Sequence, residues 1–293
     1  MKRCVLITDV DNTLYDFIEY YGPTFRAMVH VLSKETGIKE KTIRMSFREL
    51  YKETKTIEYK FAIQSLKIFE RIDEEKMHRM IYIARLAYQR TKRKHLRLYD
   101  GVAETLRELI NGGVSLCAIS NAPIYHAYRR LLELGVLRFF DFIYAWEGIY
   151  DVKNKKDPYV EEYKKIRAKL DQSSNTGVSL LQELSSDERK PDSSAFERIV
   201  GEFGSDDVLY FAVGDSKEKD LYWPQRMGMT TIWAKYGKVS AGKNLDTVID
   251  ITHWDESKVK KEYRYSDIIV DYEIGAFSQL LNIVPHTKQL LLL

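Results

Sequence analysis

The apolar run Cys4-Val5-Leu6-Ile7 leads through Thr8 into Asp9-Val10-Asp11-Asn12-Thr13-Leu14, and this junction limits the chain's possible folds more than any other segment. A continuous apolar run reads as a strand buried on both faces of a parallel sheet. In open α/β sheets the functional crevice lies beyond the carboxyl ends of the strands. Asp9 and Asp11 are two residues apart where such a strand becomes a loop. One of them can attack as a nucleophile while the other moves a proton.

Further apolar runs, Val114 to Ile119, Val208 to Val213 and Met229 to Ala234, read as core strands. A helical stripe of Val102, Leu106, Leu109 and Ile110 precedes the first of these, with Asp100 as its expected N-cap and Gly112-Gly113 as its stop. A second stripe, Ala195, Phe196, Ile199, Val200 and Phe203, is entered through Pro191 and closed by Gly204. Strands alternating with helices imply an α/β, doubly wound parallel sheet.

Between residues 16 and 98 the pattern is helical, with stripes at Phe25, Met28, Val29 and Leu32, at Ile43, Phe47, Leu50 and Tyr51, and at Met77, Met80, Ile81 and Ala84. Gly22-Pro23 and Gly37 punctuate it. The expected organisation is an α/β core over 1–15 and 99–293, with an all-helical domain inserted over 16–98. A polar insertion spans 148–187, and the tail after Asn282 reads as a frayed end.

Composition narrows the function classes. Lys and Arg number 46 against 43 Asp and Glu, a net charge of +3, which favours neither nucleic acid nor an acidic membrane as partner. Cys4 and Cys117 sit in apolar runs and read as buried reduced thiols. No stretch approaches the roughly 18 apolar residues of a membrane span, and none reads as a signal peptide. The expectation is a cytoplasmic protein acting on a small molecule, with the oligomeric state open. The six histidines are scattered without zinc-ligand spacing.

Three polar groups follow the later strands. Ser120-Asn121 ends one run, Lys190-Pro191-Asp192 opens the Phe196 helix, and Gly214-Asp215-Ser216 ends another run, with Asp220 five residues after Asp215. A sheet that delivers Asp9, Asp11, Ser120, Lys190, Asp215 and Asp220 to one edge assembles a phosphoryl-transfer site. Phosphoryl oxygens call for a divalent cation together with positive or donor groups.

Four segments in this order resemble the motifs of the haloacid dehalogenase-like (HAD) superfamily. They are D-x-D-N-T-L at 9 to 14, Ile119-Ser120-Asn121, Arg189-Lys190-Pro191-Asp192, and G-D-S-x-x-x-D from 214 to 220. The resemblance implies a three-layer Rossmann-like core, with the helical insertion acting as the cap found in many family phosphatases. It implies Asp9 as the nucleophile that forms an aspartyl-phosphate and Asp11 as general acid and base. Ser120, Asn121 and Lys190 would bind the phosphoryl group. Mg²⁺ would be held by Asp9, Asp215 and the backbone carbonyl of Asp11, with Asp220 orienting Lys190 or metal-bound water.

The family members with a small Gly-Ala pair after the last aspartate differ from this chain, which has Leu221-Tyr222-Trp223-Pro224. Lys155-Lys156-Asp157-Pro158 also resembles the third motif. Lys190 is preferred over Lys156 because it opens an amphipathic helix about one helix and one strand before Asp215. The cluster Lys92-Arg93-Lys94-His95 with Arg97 reads as a solvated helix end or as an electropositive rim. The reading is a Mg²⁺-dependent phosphatase; a phosphomutase using the same aspartates and a non-catalytic HAD-like binding protein are the alternatives.

Overall fold

A computed structural model describes residues 2–59, 61–149, 165, 168, 180–237, 242–252 and 268–286. Two compact units result. One comprises Met1–Tyr15, Leu98–Lys238 and Glu262–Leu293; the other comprises Asp16–Arg97 and Val239–Lys261.

Among the described residues, the first unit is built on a seven-stranded, all-parallel sheet. Its strands are β1 (Arg3–Asp9), β2 (Ser115–Pro123), β3 (Phe142–Trp146), β4 (Leu180–Leu184), β5 (Val208–Gly214), β6 (Thr230–Ala234) and β7 (Tyr272–Ile274), in the spatial order β4-β3-β2-β1-β5-β6-β7. Strand β1 is central because its residues are apolar on both sides: Cys4 through Asp9 are all buried. Val5 and Ile7 join Cys117, Ile119, Tyr144, Phe196 and Ile199 in one core cluster. The chain leaves β1 towards β2, β3 and β4, then returns to add β5 on the other side of β1. The crevice beside the end of β1 is thus the switch point where open α/β sheets place their ligands. The register brings the right residues to that edge, with Asp9 opposite Ile119 on β2 and Thr8 opposite Val213 on β5.

Several local expectations are corrected here. Residues 180–184, assigned to the polar insertion 148–187, form the edge strand β4 paired with β3. Its sequence, LLQEL, is too short to be told from a polar helix turn by periodicity. The helix at Val102–Asn111 starts from Gly101 in a left-handed conformation (φ 78°), with no side-chain cap from Asp100. The tail is packed as far as it is described: Val284 and His286 are buried. Lys155 and Lys156 lie outside the described residues.

In the second unit α1 (Phe17–Thr36), α2 (Glu40–Thr54) and α3 (Glu74–His95) bury the centres of the three apolar stripes: Phe25, Val29 and Leu32, then Ile43 and Phe47, then Met80, Ile81 and Ala84. Asp16 caps α1 by accepting from the Glu19 N–H at 2.8 Å, and Asp73 caps α3 through the Lys76 N–H at 2.8 Å. Gly37 ends α1 in the left-handed conformation, as its punctuating position suggests. Gly22 and Pro23 do not interrupt the helix. Pro23 lacks the N–H that would reach Glu19, yet α1 runs through it because α3 and the helix Lys243–Ile251 pack along α1 and outweigh local propensity. That last helix was assigned to the core by the sequence, and it groups with the helical unit instead. Arg26 on α1 bonds the Lys243 carbonyl, Thr247 and Asn244. The basic end of α3, Lys92 to His95, occupies a helix C-terminus, where positive charge is favoured by the helix dipole. No helix among the described residues is long and apolar enough to cross a membrane.

Candidate active site

Past β1 the chain turns tightly. The Leu14 N–H bonds the Val10 carbonyl at 3.0 Å, and Asn12 takes a left-handed conformation (φ 61°) that asparagine tolerates better than most residues. This turn leaves Asp9 at the strand end, buried, and Asp11 partly exposed beyond it.

Lys190 joins three elements at this edge. Its Nζ lies 2.5 Å from Asp9 Oδ1, 2.6 Å from Asp220 Oδ1 and 3.1 Å from the Ile119 carbonyl on β2. Asn121 holds the Lys190 backbone at both ends, receiving its N–H at 2.9 Å and donating to its carbonyl at 2.7 Å. Trp223, part of the bulky departure from the family pattern, donates its indole N–H to the next carbonyl, that of Pro191, at 2.7 Å. The bulk therefore braces the lysine-bearing segment.

Asp9 Oδ2 accepts from Thr13 at 2.8 Å, a contact the sequence analysis did not assign although Thr13 lies within the first motif. Asp220 Oδ2 accepts the Ser216 N–H at 3.0 Å, so both of its oxygens are engaged. Gly214 makes room for this: a Cβ there would lie 2.3 Å from Asp220 Cβ. Gly237 is a second site residue that the sequence did not reveal. A Cβ at Gly237 would lie 2.1 Å from the Asn12 carbonyl oxygen and 2.7 Å from Asp215 Cβ.

Asp11 has a separate environment. Its Oδ1 accepts from the Tyr15 hydroxyl, its Oδ2 from Ser120 Oγ at 3.3 Å, and the Arg130 guanidinium lies 3.3 Å from Oδ1 and 3.5 Å from Oδ2. Arg130 was not anticipated. It sits on the helix Ile124–Glu133, beside the stripe Ile124, Ala127 and Leu131 that packs inward. A charged residue at a core-facing position, one helix after Ser120, is the signal that could have found it.

Asp9, Asp215 and Asp220 place carboxylate oxygens within 4.8 Å of one another. Burial pushes Asp9 up to about 7 against the pull of Lys190, with Asp220 and Asp11 adding repulsion. Burial, then Asp9 and Asp220, raise Asp215 well above the usual carboxylate range. Burial disfavours charge on Lys190, but Asp220 and Asp9 outweigh it and hold the ammonium charged. Carboxylates crowded in this way, with the Asp215 carboxylate accepting no hydrogen bond from the described residues while its backbone carbonyl takes the Trp233 indole N–H at 2.8 Å, suit a hard divalent cation with oxygen ligands. The Asp11 carboxylate stands outside that cluster.

Residues 5–222 match the family of haloacid dehalogenase-like hydrolases. The glyceraldehyde 3-phosphate phosphatase of Methanopyrus kandleri is 24% identical over 288 residues, covering 97% of each chain. The protein of the same name from Pyrococcus furiosus is 24% identical over 286 residues, covering 97% of this chain and 94% of its own. Among solved structures, the 2-haloacid dehalogenase of Pseudomonas syringae superposes with a TM-score of 0.56 at 17% identity, over 97% of this chain and 98% of that one, and shares the fold.

Proposed function

The chain belongs to the haloacid dehalogenase-like hydrolases, and we propose that it is a phosphatase that cleaves the phosphate ester of a small metabolite. The observation that carries this reading is the pair of carboxylates in two different environments. Asp9 lies among buried acids against Lys190, while Asp11 is held apart by Tyr15, Ser120 and Arg130. Two acids separated in this way can take two roles.

In the first half-reaction an Asp9 carboxylate oxygen forms a bond to phosphorus. The ester P–O bond breaks, and its electron pair leaves on the alcohol oxygen, which takes the proton carried by Asp11. In the second, Asp11 takes a proton from water as the water oxygen bonds to phosphorus. The bond from phosphorus to Asp9 then breaks, giving inorganic phosphate and the free carboxylate. Lys190 opposes the charge on Asp9 and on the phosphoryl oxygens, and Ser120 donates its hydroxyl to one of those oxygens. Asn121 positions Lys190 through its backbone. A divalent cation such as Mg²⁺, held by Asp9, Asp215 and the Asp11 backbone carbonyl, would keep Asp9 ionised and neutralise phosphoryl charge. Asp220 is left to orient Lys190, to which it is hydrogen-bonded.

Two relatives similar over nearly their whole length are named glyceraldehyde 3-phosphate phosphatases. A three-carbon phosphate ester is therefore the first substrate class to test. Phosphate release from glyceraldehyde 3-phosphate and a panel of small phosphate esters with Mg²⁺ should be abolished by Asp9→Asn and by chelation. Isomerised phosphate esters without free phosphate would identify a mutase instead, and an inert protein would remove the catalytic reading.

A further inference from the structure

Resting on the acid–base role of Asp11 proposed above, we infer that Arg130, acting together with Tyr15, is the positioning residue that orients the Asp11 carboxylate for proton transfer to the leaving oxygen. The side chain of Arg130 is only 2% exposed, the smallest exposure of any cation that touches the site. Its guanidinium approaches both carboxylate oxygens of Asp11, at 3.3 and 3.5 Å. The guanidinium carbon also lies 5.8 Å from the centre of the Tyr15 ring, and the hydroxyl of that same ring donates to Asp11 Oδ1. Tyr15 is itself fully buried and is fixed by backbone bridges to Asp11 and to Leu98. Arg130, Tyr15 and Asp11 thus form a closed triangle in which each member restrains the other two.

The geometry gives this triangle a purpose. Asp11 immediately precedes the left-handed Asn12 on a segment that leaves the sheet, and its carboxylate could otherwise occupy several rotamers. Proton delivery needs the acid within hydrogen-bonding reach of the leaving oxygen, and displacement by about 1 Å can cost a hundredfold in rate. One guanidinium nitrogen, Nη2, makes both approaches, and because the Arg130 side chain is held by burial it fixes the side from which the carboxylate is gripped. Burial of Arg130 on the helix behind Ser120 keeps that restraint out of water, where it would be screened.

The consequence depends on the leaving group. Esters with a poor leaving group, such as an alkyl alcohol, require the proton, whereas nitrophenolate departs without much help. In a positioning role, Arg130→Met and Tyr15→Phe should lower kcat/KM, which reports the first half-reaction, at least about tenfold more for glycerol phosphate than for 4-nitrophenyl phosphate; the second half-reaction is common to both esters. In an Asp11→Asn background the same substitutions should have no further effect on the ratio of the two rates, since the group they orient is gone. Tyr15→Phe removes only a hydroxyl and provides the measurement if Arg130→Met fails to fold. Equal losses of kcat/KM on both esters would overturn the inference and make Arg130 a structural or phosphate-binding residue. If Asp11→Asn itself leaves the ratio unchanged, or no ester is cleaved, the acid–base reading fails first and the inference falls with it.

Discussion

Lys190 Nζ stands 2.5 Å from Asp9 and 2.6 Å from Asp220, so one buried ammonium serves a carboxylate from β1 and another from the segment after β5. The first motif and the fourth are thereby tied through the third, so the stability of the site and the proposed chemistry rest on the same atom.

Removing that atom should affect both. Lys190→Met leaves Asp9 and Asp220 facing each other without their shared cation, a loss that for a buried pair costs about 3–5 kcal/mol. Part of it will be recovered by proton uptake on Asp9, which is already raised to about 7. Urea unfolding should show the loss, and phosphate release should fall to background. Lys156→Met should leave both close to wild type. The reverse ranking would show that the third-motif lysine is Lys156.

Gly237 gives a prediction based on space alone. Gly237→Ala drives a methyl group into the Asn12 carbonyl and Asp215 Cβ, so the turn carrying Asp11 must move. Turnover should drop by about tenfold or more. Gly201→Ala, on the helix Ser194–Phe203 with open space around it, should leave turnover unchanged and raise stability by about 0.4–1 kcal/mol. Equal activity in the two variants would refute the close approach at Gly237.

Magnesium should stabilise the folded protein. A ligand present at 100 times its dissociation constant adds about 2.7 kcal/mol, so the unfolding midpoint should rise with Mg²⁺. Asp215→Asn should abolish that response. It should also raise the midpoint in chelator, because it removes a half-buried carboxylate that Asp9 and Asp220 repel. A variant that is less stable in chelator and still responds to Mg²⁺ would contradict this assignment.

The two thiols set an alkaline limit. Burial raises Cys4, and burial together with Asp141 raises Cys117 far above its ordinary value. The folded state therefore keeps these protons at pH values where the unfolded chain, ionising near about 8.5, has lost them. Stability is full below that value and falls as pH rises above it, by up to about 1.4 kcal/mol per pH unit for each fully affected thiol. Denaturation at pH 7.5 and 9.5 should show the decline, and Cys117→Val should reduce it. Rapid alkylation of Cys117 in the native protein would show that the thiol is not buried as described.

The amino-acid order was sufficient wherever one residue type has a single physical use. An apolar run ended by Asp9 and Asp11, and Gly214-Asp215 after a later run, announce strand ends in a parallel sheet, while Ser120-Asn121 stands where β2, which continues to Pro123, loses its regular pairing with β3. The helical stripes in 16–98 were legible for the same reason, since a 3.6-residue period needs no knowledge of what the helix packs against. Where reading failed, the deciding contact was remote. Strand β4 exists because β3 offers it a free edge, α1 continues through Pro23 because α3 and the helix Lys243–Ile251 lie along it, and Val284 and His286 are buried by the elements around them.

The site divides in the same way. Sequence by itself singled out Asp9, Asp11, Ser120, Lys190, Asp215 and Asp220, polar residues that follow apolar runs or precede a helical stripe. Only the tertiary structure decided how they are held. The pairing of Lys190 with both Asp9 and Asp220, the approach of Gly237 to Asn12, and Arg130 behind Asp11 join residues up to 225 positions apart. Nothing in the local sequence specifies such distances. They follow from parallel register, which aligns strand ends, and from close packing, which leaves room at Gly237 for a backbone oxygen and for nothing larger.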